Sequence, residues 1–230
     1  MNFDQSQMPE NNSVESIKIP ENKTKEGVDF VFEQNKENIF KKYIESIENS
    51  ALSIESKIEL SLLLLDRKQG VQIGDYKIVN SQVEKDTVIQ EFTQEISNIL
   101  SLLSGLRLQY KIVKDLSDDN DMVGFSVLVS KNKEILNKFT QADKEHDDKT
   151  FGLILGYPPT AVEAYGTDRA FNIERDLPKI ELEKLQSEGV LPFLLFIPSK
   201  EHWDEELEWA RKNQKLIEDK APKLYQELIK

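Results

Sequence analysis

Two short segments hold most of the side chains whose types and spacing could do chemistry. The first is Gly-Tyr-Pro-Pro-Thr, Gly156–Thr160, followed by Tyr165, Asp168, Arg169 and Arg175. Arg occurs only five times in the 230 residues, at 67, 107, 169, 175 and 211. Two of those five fall shortly after this turn. A guanidinium offers a planar fork that matches carboxylate or phosphate, and a helix start offers free N–H groups to an anion. Tyr157, Thr160, Arg169 and Arg175 are therefore candidate ligand-binding residues for a small anion. The competing reading is that both arginines hold the loop through ordinary ion pairs. Gly152 and Gly156 are not spaced as a dinucleotide loop, and no Gly-Lys-Ser/Thr follows as in a triphosphate loop.

The second segment is Ser199 with Lys200-Glu201-His202-Trp203-Asp204-Glu205-Glu206. His202 and Glu206 are four apart and share a helix face. Such a pair can pass a proton or contribute to a metal site. Two ligands do not make a zinc site, and the only other histidine, His146, stands in a charged stretch beside Asp147 and Asp148. No metal and no cofactor is assigned. Ser199, His202 and Trp203 join the candidate ligand-binding set, with Trp203 also suited to a core position.

Other chemistries fail on spacing. The acidic stretch Asp115, Asp118, Asp119 and Asp121, placed on a calcium-binding loop starting at Asp119, puts Val123 at position five and Ser130 at position twelve, so two ligands are lost. No Gly-x-Ser-x-Gly occurs. There is no cysteine, which removes thiolate catalysis, cysteine metal sites and disulfides.

Composition narrows the partners. The formal charge is −12, no run of Lys and Arg forms a basic patch, and binding of polyanionic nucleic acid depends on such a patch. An acidic surface also disfavours anionic membranes. The longest apolar run, Phe193–Ile197, is far below the ~20 residues of a membrane span. The first residues have neither a basic start nor an apolar stretch, so they do not read as a signal peptide. These features lead to an expectation of a soluble, cytoplasmic protein with no nucleic-acid and no membrane partner.

The elements that must position the two segments follow from periodicity. Residues 1–27 are polar, carry Pro9 and Pro20, and lack a sustained apolar period, so they read as a disordered tail. Val14, Ile17 and Ile19 could serve a partner there. A single domain is expected over 28–230. Phe40, Tyr43, Ile44 and Ile47, then Ile54, Ile58, Leu62 and Leu65, have helical spacing and predict an N-terminal helical pair, the second capped by Ser53 and stopped at Gly70. Val71–Val79 predicts a short hairpin turning at Gly74-Asp75. Ser81 and Glu84 form a capping-box pattern ahead of a helix carrying Val88, Phe92, Ile96, Ile99 and Leu103. Leu106–Val113 and Val123–Val129 alternate as an antiparallel pair. Lys131–Ala142 predicts a helix.

Phe151–Leu155 and Phe193–Ile197 are almost wholly apolar, which predicts two central strands buried on both faces. Thr160 and Glu163 repeat the capping-box pattern. A long helix is expected from about Lys200, broken near Pro222. The fold class is α+β: a mixed β-sheet of about four main strands covered by helices. Were those two strands parallel neighbours, their C-terminal ends would bring Tyr157, Thr160, Ser199, His202 and Trp203 to one edge of the sheet, where ligands bind in open sheets.

The segments Leu155–Tyr165 (LGYPPTAVEAY) and Ser199–Trp203 (SKEHW) resemble motifs of an uncharacterised bacterial protein family. The resemblance spans the C-terminal third and implies no named activity. Together these readings lead to a binding or interaction protein, with a small anionic ligand or a peptide at the Tyr157–Thr160 and Ser199–Trp203 edge, or a protein partner. The alternative is a hydrolase-like or metal-dependent enzyme using His202 with Glu206.

Overall fold

The computed structural model describes residues 25–113 and 122–229, and of 25–36 the backbone only. The chain divides into two units, Met1–Ile39 and Phe40–Lys230. The expected tail over 1–27 lies outside the described residues as far as residue 24, and Lys25–Gly27 already belong to helix α1 (Lys25–Glu48). The acidic loop Asp115–Asp121 also lies outside them.

The second unit, from Phe40 onward, is built around helix α2 (Ile54–Leu64). Ser53 caps it, accepting from the Ser56 amide at 3.2 Å. Eight consecutive residues, Lys57 to Leu64, are buried. A helix buried on every side is a core element rather than an amphipathic surface one. Ile58, Leu60, Leu62 and Leu63 are fully buried, and each contributes ~1.5–3 kcal/mol on leaving water. Strand β1 (Gly70–Ile78) and the C-terminal helices α9 (Trp203–Lys220) and α10 (Pro222–Leu228) pack against α2. Ile44 and Ile47 of α1 join the same apolar cluster.

Among the described residues the sheet has three strands, with β3 (Met122–Ser130) between β1 and β2 (Gln109–Val113), all antiparallel. Val71 pairs with Val129, and Ile73 with Val127. Residues directly opposite point to the same face, so these and Val123 and Phe125 line the face toward α3 (Gln82–Gly105), where Phe92 meets Phe125 edge to face at 5.0 Å. The opposite face is partly covered by α4 (Lys133–Glu145) and α5 (Asp148–Ile154), through a small cluster of Leu128, Leu136, Phe139, Ile154 and Leu155. The capping box of α3 forms as its sequence predicts. Ser81 accepts from the Glu84 amide, and the Glu84 carboxylate accepts from the Asn80 amide at 2.8 Å.

The architecture is mixed helix and strand, but among the described residues with three strands rather than about four. Val71–Val79 is not a hairpin: β1 runs through Gly74, where the backbone of β3 comes so close that a Cβ would stand 2.3 Å from the Phe125 carbonyl oxygen. Phe151–Ile154 is helical, within α5, because Asp147 caps a helix start by accepting the Thr150 amide at 3.0 Å, and Leu155 is the residue that ends the helix. Its short apolar run packs on two sides, on α4 through Phe139–Phe151 and on α6 (Pro159–Ala164). Phe193–Ile197 is not a strand either. It leaves a single 3₁₀ turn, Leu191–Phe193, started by Pro192, and continues irregularly. Both runs are apolar because they are buried, and burial does not specify a period. Pro222 ends α9 by opening α10 at its first position, where a missing N–H costs nothing.

Candidate functional site

The two candidate segments meet, although not as sheet edges. Glu206, buried in the first turns of α9, lies between them. Its Oε1 accepts the Thr160 hydroxyl at 2.6 Å and its Oε2 accepts the Ser199 amide at 2.6 Å. Thr160 therefore does not cap α6. It sits inside that helix, and Glu163 faces Lys149 at 3.7 Å instead of closing a capping box. Ser199, itself buried, accepts the His202 amide at 3.0 Å through its hydroxyl. Ala170 and Ser199 form an isolated antiparallel bridge, with Phe171 N–H donating to Pro198 and Lys200 N–H to Arg169.

Beneath the turn lies a charged pair that sequence reasoning missed. The Lys68 side chain is fully buried. Its ammonium donates to Glu59 Oε1 at 3.1 Å and to the Leu155 carbonyl at 2.8 Å, and stands 3.0 Å from Glu59 Oε2. It also lies over the Tyr157 ring, 4.9 Å from the centroid. Burial pushes the Glu59 carboxyl up and the Lys68 ammonium down, in each case against the attraction of its partner. Burial, with the Glu59 charge added, pushes the Tyr157 phenol up. Gly156 closes the joint: its φ is +74° and a Cβ would stand 2.8 Å from the Arg67 carbonyl oxygen, so the position takes only glycine readily. The signal for this pair was available in Glu59, a charged position between Ile58 and Leu60 in the apolar half of α2.

The predicted arginines point elsewhere. Arg169 is exposed and donates to the Glu163 carbonyl at 2.9 Å. Arg175 forks onto Asp176 through two bonds of 2.7 and 2.9 Å, and holds that carboxyl down at about 2. Trp203 packs against Phe171 with the rings tilted at 54° and their centroids 5.0 Å apart. His202, half-exposed, lies 3.6 Å from Glu205. His146 ends α4 in the left-handed region, φ 55°. Among the described residues, no three His, Asp or Glu side chains are grouped to hold a metal, and no helix is long and apolar enough to cross a membrane.

A cleft of about 530 Å³ opens beside Tyr157. Its walls are apolar: Phe151 and Leu155 from α5 and the residue after it, Ala161 and Val162 from α6, and Leu194–Ile197. Gln72, Asp148, Tyr157 and Tyr165 add polar atoms. Tyr157 and Phe196 pack at 5.7 Å, and Phe196 continues onto Trp209 at 5.3 Å. Tyr165 and Ile197 leave about half their surface open at the mouth, at 53% and 48%. Within the described chain no hydrogen bond involves the backbone of Leu195, Phe196 or Ile197. Of the predicted residues, only Tyr157 lines this cleft. Thr160 and Ser199 join the segments on either side of it through Glu206. Comparison with protein-family models, curated proteins and solved structures finds no match for the chain.

Proposed function

We propose that the protein is a non-enzymatic binding protein that takes an extended peptide, with apolar side chains, in the cleft beside Tyr157. The observation that carries this reading is the wall at Leu195–Ile197, where apolar side chains line a cleft of about 530 Å³ and three consecutive residues make no backbone hydrogen bond to the described residues. Unpaired backbone donors and acceptors beside an apolar trough are what an incoming strand-like peptide uses. The volume falls in the usual range of ligand sites. The sole formal charge in the lining is Asp148 and the chain carries −12, so a peptide with Lys or Arg beside its apolar anchors fits better than an acidic one. The small-anion reading has less support, since Arg169 and Arg175 are engaged within their own loop. The enzyme reading on His202 and Glu206 likewise has less support, because both Glu206 oxygens accept bonds from Thr160 and Ser199.

The test is selection from a displayed library of random twelve-residue peptides, counter-screened with Ile197→Glu, which alters an exposed wall residue. Enrichment of apolar, basic peptides that bind the wild type at least tenfold better than Ile197→Glu supports the reading. Peptides that bind both equally, or enrichment without an apolar pattern, would refute it.

A further inference from the structure

The outer edge of β1 offers a second surface. β3 occupies one side of β1, and among the described residues no strand occupies the other. Gly74 to Ile78 are all exposed, Tyr76 at 66% and Ile78 at 65%. An open edge of this kind is a template for another strand. The Tyr76 amide shows which groups face outward: it donates to its neighbour's Asp75 Oδ1 at 2.8 Å. Hydrogen bonding alternates along an antiparallel strand. Asp75 and Lys77, opposite Phe125 and Val123, then direct their backbone groups to β3, and Gly74, Tyr76 and Ile78 direct theirs to the open side. The Asp75 carboxylate thus occupies the place of a missing strand's carbonyl.

The order of charges on this edge is self-complementary. Asp75 and Lys77 flank Tyr76 on the same face of the strand, opposite to that of Tyr76 and Ile78. If two copies of β1 run antiparallel about a two-fold axis at Tyr76, Asp75 of each copy falls opposite Lys77 of the other. Tyr76 meets Tyr76, and Ile78 lies across from Gly74. Opposite charges and aromatic pairs directly across a ladder are favourable, and a two-fold interface requires such self-matching. Any other register of the same residues loses the charge match.

We propose that two copies of this chain associate through antiparallel pairing of β1 with β1, centred on Tyr76, joining two three-stranded sheets into one of six. The occupant of the edge is a second copy because the match is of β1 to itself. Lys77 already contacts Glu91 at 2.6 Å, but both side chains are about half exposed, 44% and 55%, so Lys77 is free to turn to a partner. The pairing covers five residues per copy, so the dimer is of the weak class.

The experiment is sedimentation equilibrium of the full chain from about 1 µM to about 1 mM, where contacts of this size associate. Salt is held at about 0.15 M, which screens the mutual repulsion of two acidic chains beyond roughly 8 Å. The wild type should rise from one-chain toward two-chain mass. Tyr76→Pro removes an outward N–H and no bond to β3, and should stay at one-chain mass. D75K alone and K77D alone should each stay at one-chain mass, and their equimolar mixture should regain the two-chain mass, because each supplies the charge the other lacks. Far-UV circular dichroism confirms folding. Should Tyr76→Pro unfold, the charge-exchange arm decides alone. The proposal is overturned by a wild type that stays at one-chain mass, by a dimer that persists in folded Tyr76→Pro, by a mixture that fails to associate, or by an edge that takes up an unrelated peptide in preference to a second copy.

Discussion

Replacing Lys68 by Met leaves Glu59 as a buried carboxylate with no cation beside it. In the wild type the Lys68 ammonium holds both that carboxylate and the Leu155 carbonyl, within 3.1 Å of each. Removing one member of a buried ion pair typically costs about 3–5 kcal/mol, because the remaining charge stays desolvated. The Leu155 carbonyl, left without a donor, places Lys68→Met toward the upper end of that range. At this chain length ~1 kcal/mol corresponds to roughly 2–4 °C in Tm, so Lys68→Met should lower Tm by roughly 6–20 °C. Removing both charges has a different outcome. Desolvation outweighs attraction at Glu59 and at Lys68 alike, which is the situation in which an apolar replacement of the pair is close to neutral. Glu59→Leu with Lys68→Met should therefore lie within about 2 kcal/mol of wild type. The assay is urea unfolding of the wild type, the two single variants and the double variant at pH 7, followed by circular dichroism. The reasoning is refuted if Lys68→Met costs less than about 1 kcal/mol, the scale of an exposed pair, or if the double variant loses the sum of the single losses. The pH response gives a second check. Glu59 has a raised folded pKa, so its contribution is more favourable below the ordinary glutamate value, and stability at this site falls as pH rises from there toward the folded pKa. Glu59→Gln should remove that part of the pH dependence.

Two further outcomes follow from the frame of the cleft. Thr160→Val deletes a hydroxyl that donates at 2.6 Å to the buried Glu206 carboxylate, and should cost about 1.5–3 kcal/mol, as hydrogen bonds to charged groups do. A double-mutant cycle with Glu206→Gln should show that most of this loss is coupled. Arg175→Ala should raise the Asp176 carboxyl from about 2 toward the ordinary aspartate range, but not fully into it, because the Asn172 amide still donates to it at 2.9 Å; carboxyl NMR titration reads this directly. The depressed Asp176 pKa also means that its contribution to stability is present above the ordinary aspartate value and is lost as pH falls from there toward about 2, a loss that Arg175→Ala should reduce.

Local signals along the chain were legible where the physics is local. Ser53 and Ser81 cap the helices that follow them, Glu84 closes its box, and Pro222 opens α10. The alternation of Val123, Phe125, Val127 and Val129 is that of the central strand, one face of which packs in the main core. The candidate segments around Tyr157–Thr160 and Ser199–Trp203 do meet, through Glu206. The route to that expectation was wrong, because neither apolar run is a strand. Arg169 and Arg175 looked suited to an anion by type, but a guanidinium takes the acceptors nearest in the chain, here the Glu163 carbonyl and Asp176.

The mixture of helix and strand, the Ser53 and Ser81 caps, the break at Pro222 and the lack of thiol chemistry could be read from the chain alone, since each follows from residue type or from contacts within a few positions; the Gly74-Asp75 turn and the Thr160 cap could not. Packing of the whole chain set the rest: that Lys57–Leu64 of α2 is the buried centre, that Lys68 and Glu59 pair beneath Tyr157, and that Phe151–Ile154 is helical while Leu194–Ile197 is irregular. A run of apolar residues states that it will be buried but not in which conformation. A buried charge states that it needs a partner but not which one. Both answers come from what the rest of the chain packs against them.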